Sequence, residues 1–472
     1  KNTMWRLPLC VLCLHVCLTY CGSSYHGYEE PFVINRFNLG SGSSYSPRYD
    51  ASKYLRYPPP HTCSEKHIFY MGRHGSREGD NDEWPELREF LNEHLDKIKL
   101  SFVRNWVPRP ASDAGELVVE VALKEMRHLA QSFKRNFKSL DYPYDTDRYR
   151  IRTGSKDTGR TDLTASAFAM SCWPGQPYQT GSPHETDPLL EADNACKAYE
   201  DVTEEEIEVT LQNGDVVNLE RKDVEAHLWL HEFGHDLIHK INNQMAVDPE
   251  NDPIPITLDM LLLMYDVCKV ETVAEGFSRW CLLFDEYDWE NLLYFDDLGD
   301  FYGDGPGLPV VKLQAVPLLK TVFNTMDKVI AGEEGYEEQK AALVFGSKGT
   351  FAPLMSAVLG LFQDDTLAHD TPRSQWMNRN FRVGNFAHYG SHALFVLYAC
   401  GLDDYRVLLM HNEAQQRIPG CSSMYCPLEE FRELYRDILE LNWVEECGND
   451  PQLCFDWIED IYLQGETFPN KS

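Results

Sequence analysis

IFYMGRHGSREGD, residues 68–80, sets a short apolar run against a polar loop. Ile68 to Met71 has the unbroken apolar character of a strand buried on both faces. It leads directly into Arg73, His74 and Arg77, which places an imidazole and two guanidinium groups at a strand end. Guanidinium groups neutralise and orient phosphate oxygens, and an imidazole can take up a phosphoryl group as a nucleophile. A surface turn with ordinary charges would account for the motif taken alone. Its position directly after an apolar strand favours phosphate capture. Phosphoryl transfer by that route also needs an acid to protonate the leaving group, so the rest of the chain is read for one.

The surrounding 472 residues are 43% apolar and 12% aromatic, the composition of a globular protein able to bury a substantial core. Residues 4–22 carry one basic residue, an apolar run from Leu7 to Tyr20 and then small residues, and read as a secretory signal peptide, with Lys1–Thr3 as upstream sequence. Residues 23–62, rich in Gly, Ser, Tyr and Pro, read as an extended amino-terminal arm. No later run reaches the roughly 18 apolar residues of a membrane span. The expected location is therefore extracellular, the protein being secreted.

Four of the 14 cysteines fall in the signal, and the ten that remain suit disulfides in an oxidising compartment. Cys421 with Cys426 and Cys447 with Cys454 are near enough for local bridges, and Cys63, Cys172, Cys196, Cys268, Cys281 and Cys400 are expected to form three more. No CxxC pair lies beyond the signal to suggest a zinc ribbon. Asn470-Lys471-Ser472 is formally a glycosylation sequon. The net charge of −32 argues against nucleic acid and anionic membranes as partners.

From Ile68 the chain alternates strand-like runs with helical stretches such as ELVVEVALKEMRHLAQSFKRNF, which is α/β behaviour. Residues 181–329 change character: AHLWLHEFGHDLIHKI, ITLDMLLLMYDVCKVETVAEGF and VVKLQAVPLLKTVFNTMDKVI are helical, with few strand candidates. Strand-like runs return at AALVFGS and ALFVLYAC. The expected fold is an α/β core built from 63–180 and 330–460, interrupted by a helical cap insert at 181–329.

RYRIRTGSKDTGRTDLTASAFA (148–169) adds Arg152 and Arg160 near what reads as a second strand end. Together with RHGSR, RWCLLFDEYDWENLLYFDDLGDFYG (279–303), FRVGNFAHYGSHALFVLYAC (381–400) and YRVLLMHNE (405–413), it resembles branch 2 of the histidine phosphatase superfamily. The closest likeness is to the multiple inositol polyphosphate phosphatase branch, over roughly residues 60–460 and in order. The resemblance implies a histidine-phosphatase-like core with a helical cap, His74 as nucleophile, and Arg73, Arg77 and Arg160 as phosphate ligands. It also implies a His-Ala-Glu motif opening the helix after a late core strand, its glutamate donating the proton. VFGSKGTFAPLMS (344–356) keeps that frame, but Ser347, Lys348 and Gly349 stand where His, Ala and Glu belong.

Arginines can hold phosphate without an acid, whereas expelling an alkoxide without protonation is roughly 10²–10⁴-fold slower. Glu78 could replace the donor, but beside Arg77 its carboxyl is favoured ionised. The expectation is a catalytically weak or inactive binding protein for a small ligand, with no cofactor. The alternatives are a working histidine acid phosphatase with a relocated donor, and a carrier of a small apolar or coloured ligand in the cleft between core and cap. Glu78, Asp80, Asp82 and Glu83, following the loop in an acidic chain, predict poor binding of polyanions.

A rival motif is His231-Glu232-Phe233-Gly234-His235, whose i, i+4 histidines could share a zinc ion with Glu232 activating water. HEFGHDLIHKI lacks the metzincin continuation, so His231 and His235 read as part of a histidine-bearing face of a cap helix, together with His227 and His239, and no metal is expected. His388 and His392 precede a core strand and are expected to pack or to wall the pocket.

Overall fold

The computed structural model describes residues 32–45, 57–77, 83–108, 119–154, 159–181, 187, 189–191, 195–211 and 213–448. The signal peptide, Glu78, Asp80, Asp82, Cys454 and the Asn470 sequon lie outside the described residues. Phe32 and Val33 are exposed, and the chain from Ile34 onward forms a separate compact unit.

That unit is organised by a seven-stranded sheet in the order β2-β5-β1-β6-β7-β8, with β9 also paired to β7. The strands are β1 (Ser64–Arg73), β2 (Tyr149–Thr153), β5 (Ala341–Gly346), β6 (His392–Ala399), β7 (Tyr405–His411), β8 (Ala414–Gln416) and β9 (Cys426–Pro427). Side chains alternate along β1: Ile68 and Tyr70 join one apolar cluster with Phe133, Phe168 and Phe345, while Phe69 and Met71 join another with Phe323, Val344 and Phe395. Both faces of β1 and β5 are therefore covered, which explains their unbroken apolar runs.

β1 and β2 both run parallel to β5, whereas β6 is antiparallel to β1. Arg73 pairs with Gly346, and Thr153 with Phe345, so three strands end at one edge. Ligands of open α/β sheets bind at such an edge, because the loops leaving the strands converge there. The sheet thus takes β1 and β2 from before the long helices and β5 to β9 from after them, a mixed α/β fold as expected.

Between β2 and β5 lie long helices at Val224–Met245, Leu258–Glu275, Glu286–Gly303 and Val316–Ala331. The third begins in a capping box: Asp285 accepts from the amide of Asp288 (3.1 Å), and Asp288 accepts from that of Asp285 (2.8 Å). Leu230, Leu237, Ile241, Leu261, Met264 and Trp289 bury one another in a cluster of their own. Trp84, Leu87 and Leu91 of the Trp84–Glu93 helix join this cluster, and Val322, Phe323 and Met326 of the 316–331 helix pack instead under the sheet. Burial thus crosses the segment limits expected from composition. The insert also holds a hairpin, β3 (Glu206–Thr210) with β4 (Val216–Glu220).

The described part of the expected arm is folded rather than extended. Ile34, Leu39 and Tyr45 are buried, the Trp289 indole donates to the carbonyl of Asn38 (2.8 Å), and Tyr45 donates to Glu413. Gly384 has no room for a side chain, since a Cβ there would sit 2.9 Å from the backbone of Gly40.

Disulfides join Cys63 to Cys400, Cys196 to Cys447, Cys268 to Cys281 and Cys421 to Cys426. The expected Cys447–Cys454 bridge is corrected: Cys447 packs with Trp443, Val444, Ala195 and Cys196, and its carbonyl accepts from Ala198 (2.9 Å), so Cys196 is its neighbour. Cys172, also expected in a bridge, is a free thiol enclosed in the apolar cluster on the Ile68 and Tyr70 face of the sheet, and burial pushes its pKa up to about 12.

Candidate active site

Arg73 and His74 leave the sheet at the edge where β1, β5 and β2 end together. Backbone hydrogen bonds fix this exit: Arg73 N donates to Ser391 O (2.8 Å) and His74 N to Gly346 O (2.9 Å), while Gly390 N donates to His74 O (3.0 Å). Arg73 is 6% exposed. Its Nη1 donates to the carbonyls of Ser41 (2.7 Å) and Ala387 (2.6 Å), and its plane lies over the Tyr389 ring at 4.4 Å. One arm of the fork is thus anchored to the protein. Burial draws the Arg73 pKa down to about 10, which leaves it a cation at neutral pH.

His74 is 3% exposed, and its Nδ1 lies 2.9 Å from the carbonyl of Gly75. A carbonyl can only accept, so Nδ1 carries the proton and Nε2 keeps its lone pair. Burial, reinforced by Arg73 and Arg160, holds the imidazole pKa well below its usual range. The result is a neutral, oriented ring among cations, the state a nucleophile requires.

Arg160 arrives from β2. Gly159, at φ 59°, makes the turn that starts the Arg160–Cys172 helix. One turn on, Thr164 donates to the carbonyl of Arg160 (2.7 Å) and accepts from Gly75 N (3.0 Å), tying that helix to the histidine loop. Thr164 was not singled out from sequence, although it lies within the TGRTDLTASAFA signature. Arg77 is half-buried, and its charge acts on both Arg73 and His74. Arg152 has a structural partner, gripping Asp187 through Nε (2.7 Å) and Nη2 (2.8 Å).

Ser347, Lys348 and Gly349 follow β5 at the same edge, with Lys348 at the start of a short helix, Lys348–Pro353. Lys348 Nζ is bound by Asp300 and by Asp304 (3.0 Å). Burial opposes the Lys348 charge, but the two aspartates outweigh it and hold the ammonium above its usual range. Burial likewise raises Asp300, with Lys348 pulling it back. Asp300 and Asp304 were not singled out from sequence. Their only sequence signal was the acidic character of DFYGDGPG.

The HEFGH motif lies elsewhere. His231 and His235 sit one turn apart on the Val224–Met245 helix with ring centroids 5.6 Å apart, and His235 and Glu232 are exposed. The one group of three or more metal-type ligands found among the described residues is Cys421, Cys426 and Glu430, and its cysteines form a disulfide. His392 packs against Tyr45, Tyr70 and Phe133. His388 lines a cavity of about 370 Å³ with Tyr45 and Asn412, and burial lowers its pKa to about 4. Among the described residues, no helix is long and apolar enough to cross a membrane.

A parallel-edged α/β sheet carrying this arginine-histidine loop defines a class, and the family profile agrees: the histidine phosphatase superfamily (branch 2) matches residues 66–413. The chain belongs to that superfamily. It is 26% identical over 352 residues to multiple inositol polyphosphate phosphatase 1 of Homo sapiens, covering 71% of this chain and 68% of that protein. Among solved structures, the phytase from D. castellii superposes with a TM-score of 0.67 at 18% identity, covering 88% of each chain. The Bifidobacterium longum multiple inositol polyphosphate phosphatase, in complex with inositol hexasulfate, gives 0.64 at 14% identity, covering 84% of this chain and 97% of that one. At such identities the two superpositions establish a shared fold.

Proposed function

We propose that this chain is a phosphate-monoester-binding protein that turns its ligand over weakly or not at all. The observation that carries this reading is Lys348, clamped by Asp300 and Asp304 beside the Arg73–His74 loop, at the position where the resemblance calls for an acid motif. Arg73, Arg77 and Arg160 would neutralise the phosphate, and His74 Nε2 would attack the phosphorus. The P–Nε2 bond forms as the P–O bond to the leaving group breaks, and water later cleaves the phosphohistidine to return His74 and release phosphate. The departing alkoxide needs a proton that an ammonium held above its usual range donates poorly. An aryl oxide leaves as a stabilised anion and needs little such help.

The same reading keeps 181–329 as a cap over the site and places the protein outside the cell, which the four disulfides favour. Its partner is a small phosphate ester, and the charge of −32 disfavours nucleic acid. Steady-state hydrolysis of p-nitrophenyl phosphate and of one alkyl phosphate, by wild type and His74→Ala, tests the reading. Residual aryl activity that vanishes in His74→Ala, with little alkyl activity, is expected. Efficient alkyl hydrolysis dependent on His74 would overturn it in favour of an active acid phosphatase.

A further inference from the structure

The wall facing the β5 loop is acidic in a regular way. Asp296, Asp300 and Asp304 recur every fourth residue along the Glu286–Gly303 helix and its cap, so they share one face. Each clamps a cation: Asp296 accepts from Lys269 (3.3 Å) and Tyr265 (2.7 Å), and Asp300 and Asp304 both bind Lys348. A cavity of about 350 Å³ opens along this face, lined by four carboxylates, Asp223, Asp296, Asp300 and Asp304, against two ammonium groups, Lys222 and Lys348, and the imidazole of His227. Neither lysine is unengaged, because Lys222 is itself held by Glu220 (2.8 Å) and Glu204 (3.6 Å).

This wall adjoins the phosphate loop. Lys348 lies two residues past Gly346, the register partner of Arg73, and the charges of Asp300 and Asp304 act on Arg73 directly. An ester whose phosphate is held by the arginines therefore has this acidic wall as a neighbour.

We propose that the aspartate ladder Asp296–Asp300–Asp304 is a charge filter that admits esters bearing one phosphate and turns away polyphosphorylated ones. The filter rests on the phosphate-pocket reading above and narrows its ligand class. A second phosphate would lie against carboxylates whose lysine counter-ions, among the described residues, are already committed. Whole-chain charge also disfavours polyanions, and the ladder adds its repulsion at the wall beside the phosphate loop, where the double variant removes it and leaves most of the chain's charge in place.

The test is calorimetry on the full chain with inorganic phosphate and with inositol hexakisphosphate, for wild type and Asp300→Asn/Asp304→Asn. Wild type is expected to bind the polyanion no more tightly than phosphate. The double variant is expected to shift the ratio of the two affinities at least tenfold toward the polyanion. A wild-type salt series, from about 20 to 200 mM, keeps the proposal exposed should the variant misfold. Salt screens repulsion, so added salt is expected to bring polyanion binding closer to phosphate binding. If wild type binds phosphate but binds the polyanion more tightly, and loses it as salt rises, the filter is wrong and the pocket reading stands. If wild type binds no phosphate, the pocket reading fails and the filter falls with it.

Discussion

The ends of β1 and β5 are register partners on adjacent parallel strands, yet they are finished in different ways. At the β1 end, Arg73 is anchored by main-chain carbonyls of Ser41 and Ala387, which carry no net charge, so its positive charge remains available to a ligand. At the β5 end, Lys348 is anchored by the carboxylates of Asp300 and Asp304, so its charge is consumed within the protein. Two cations at one sheet edge thus differ in use because their partners differ in charge. The comparison separates a site built to receive an anion from one closed by its own counter-ions.

The largest effect expected comes from rebuilding the β5 end. Ser347→His/Lys348→Ala/Gly349→Glu should raise alkyl-phosphate turnover roughly 10²–10⁴-fold, measured by phosphate release at steady state. Unchanged turnover in a folded variant would mean that the two ends differ in more than the acid. Arg73→Ala attacks the other end. Losing two charge-assisted hydrogen bonds to Ser41 and Ala387 should lower stability by about 2–4 kcal/mol, read from urea unfolding, and a loss near zero would show that the anchoring is not structural.

A smaller effect is expected from pH. Burial lowers the pKa of His74 well below its usual range, that of His67 to about 3 and that of His388 to about 4. Below about pH 6.5 these three histidines therefore bind more protons in the unfolded chain than in the folded one, and the stability they contribute is lost as pH falls from 6.5 toward 4. Thermal unfolding at pH 7 and pH 5 should show His388→Gln gaining midpoint at pH 5 relative to wild type, against its own difference from wild type at pH 7. An equal difference at the two pH values would remove His388 from the account. The smallest effect, none, is expected at the His231–His235 pair: dialysed protein should hold no stoichiometric zinc, and His231→Ala/His235→Ala should leave elemental analysis unchanged. Retained zinc lost in that variant would give the Val224–Met245 helix a metal chemistry.

Sequence alone carried the strand Ile68–Met71 with its loop, the long helices of 224–331 and the return to strands at 341 and 392, because these are local signals: unbroken apolar runs for doubly covered strands, and three-to-four spacing for helices. The family frame and the substitution of Ser347, Lys348 and Gly349 were legible for the same reason, being contiguous residues. What those residues meet was not. Lys348 and Asp300 stand 48 positions apart, Cys196 and Cys447 stand 251 apart, and Arg73 reaches back 32 residues to Ser41 and forward 314 to Ala387. Such partners are chosen by strand register and by which helix faces which sheet edge, after chain entropy has been overcome by burial. The sequence therefore determined which groups enter the site, and tertiary structure decided which of them keep their charge for a ligand.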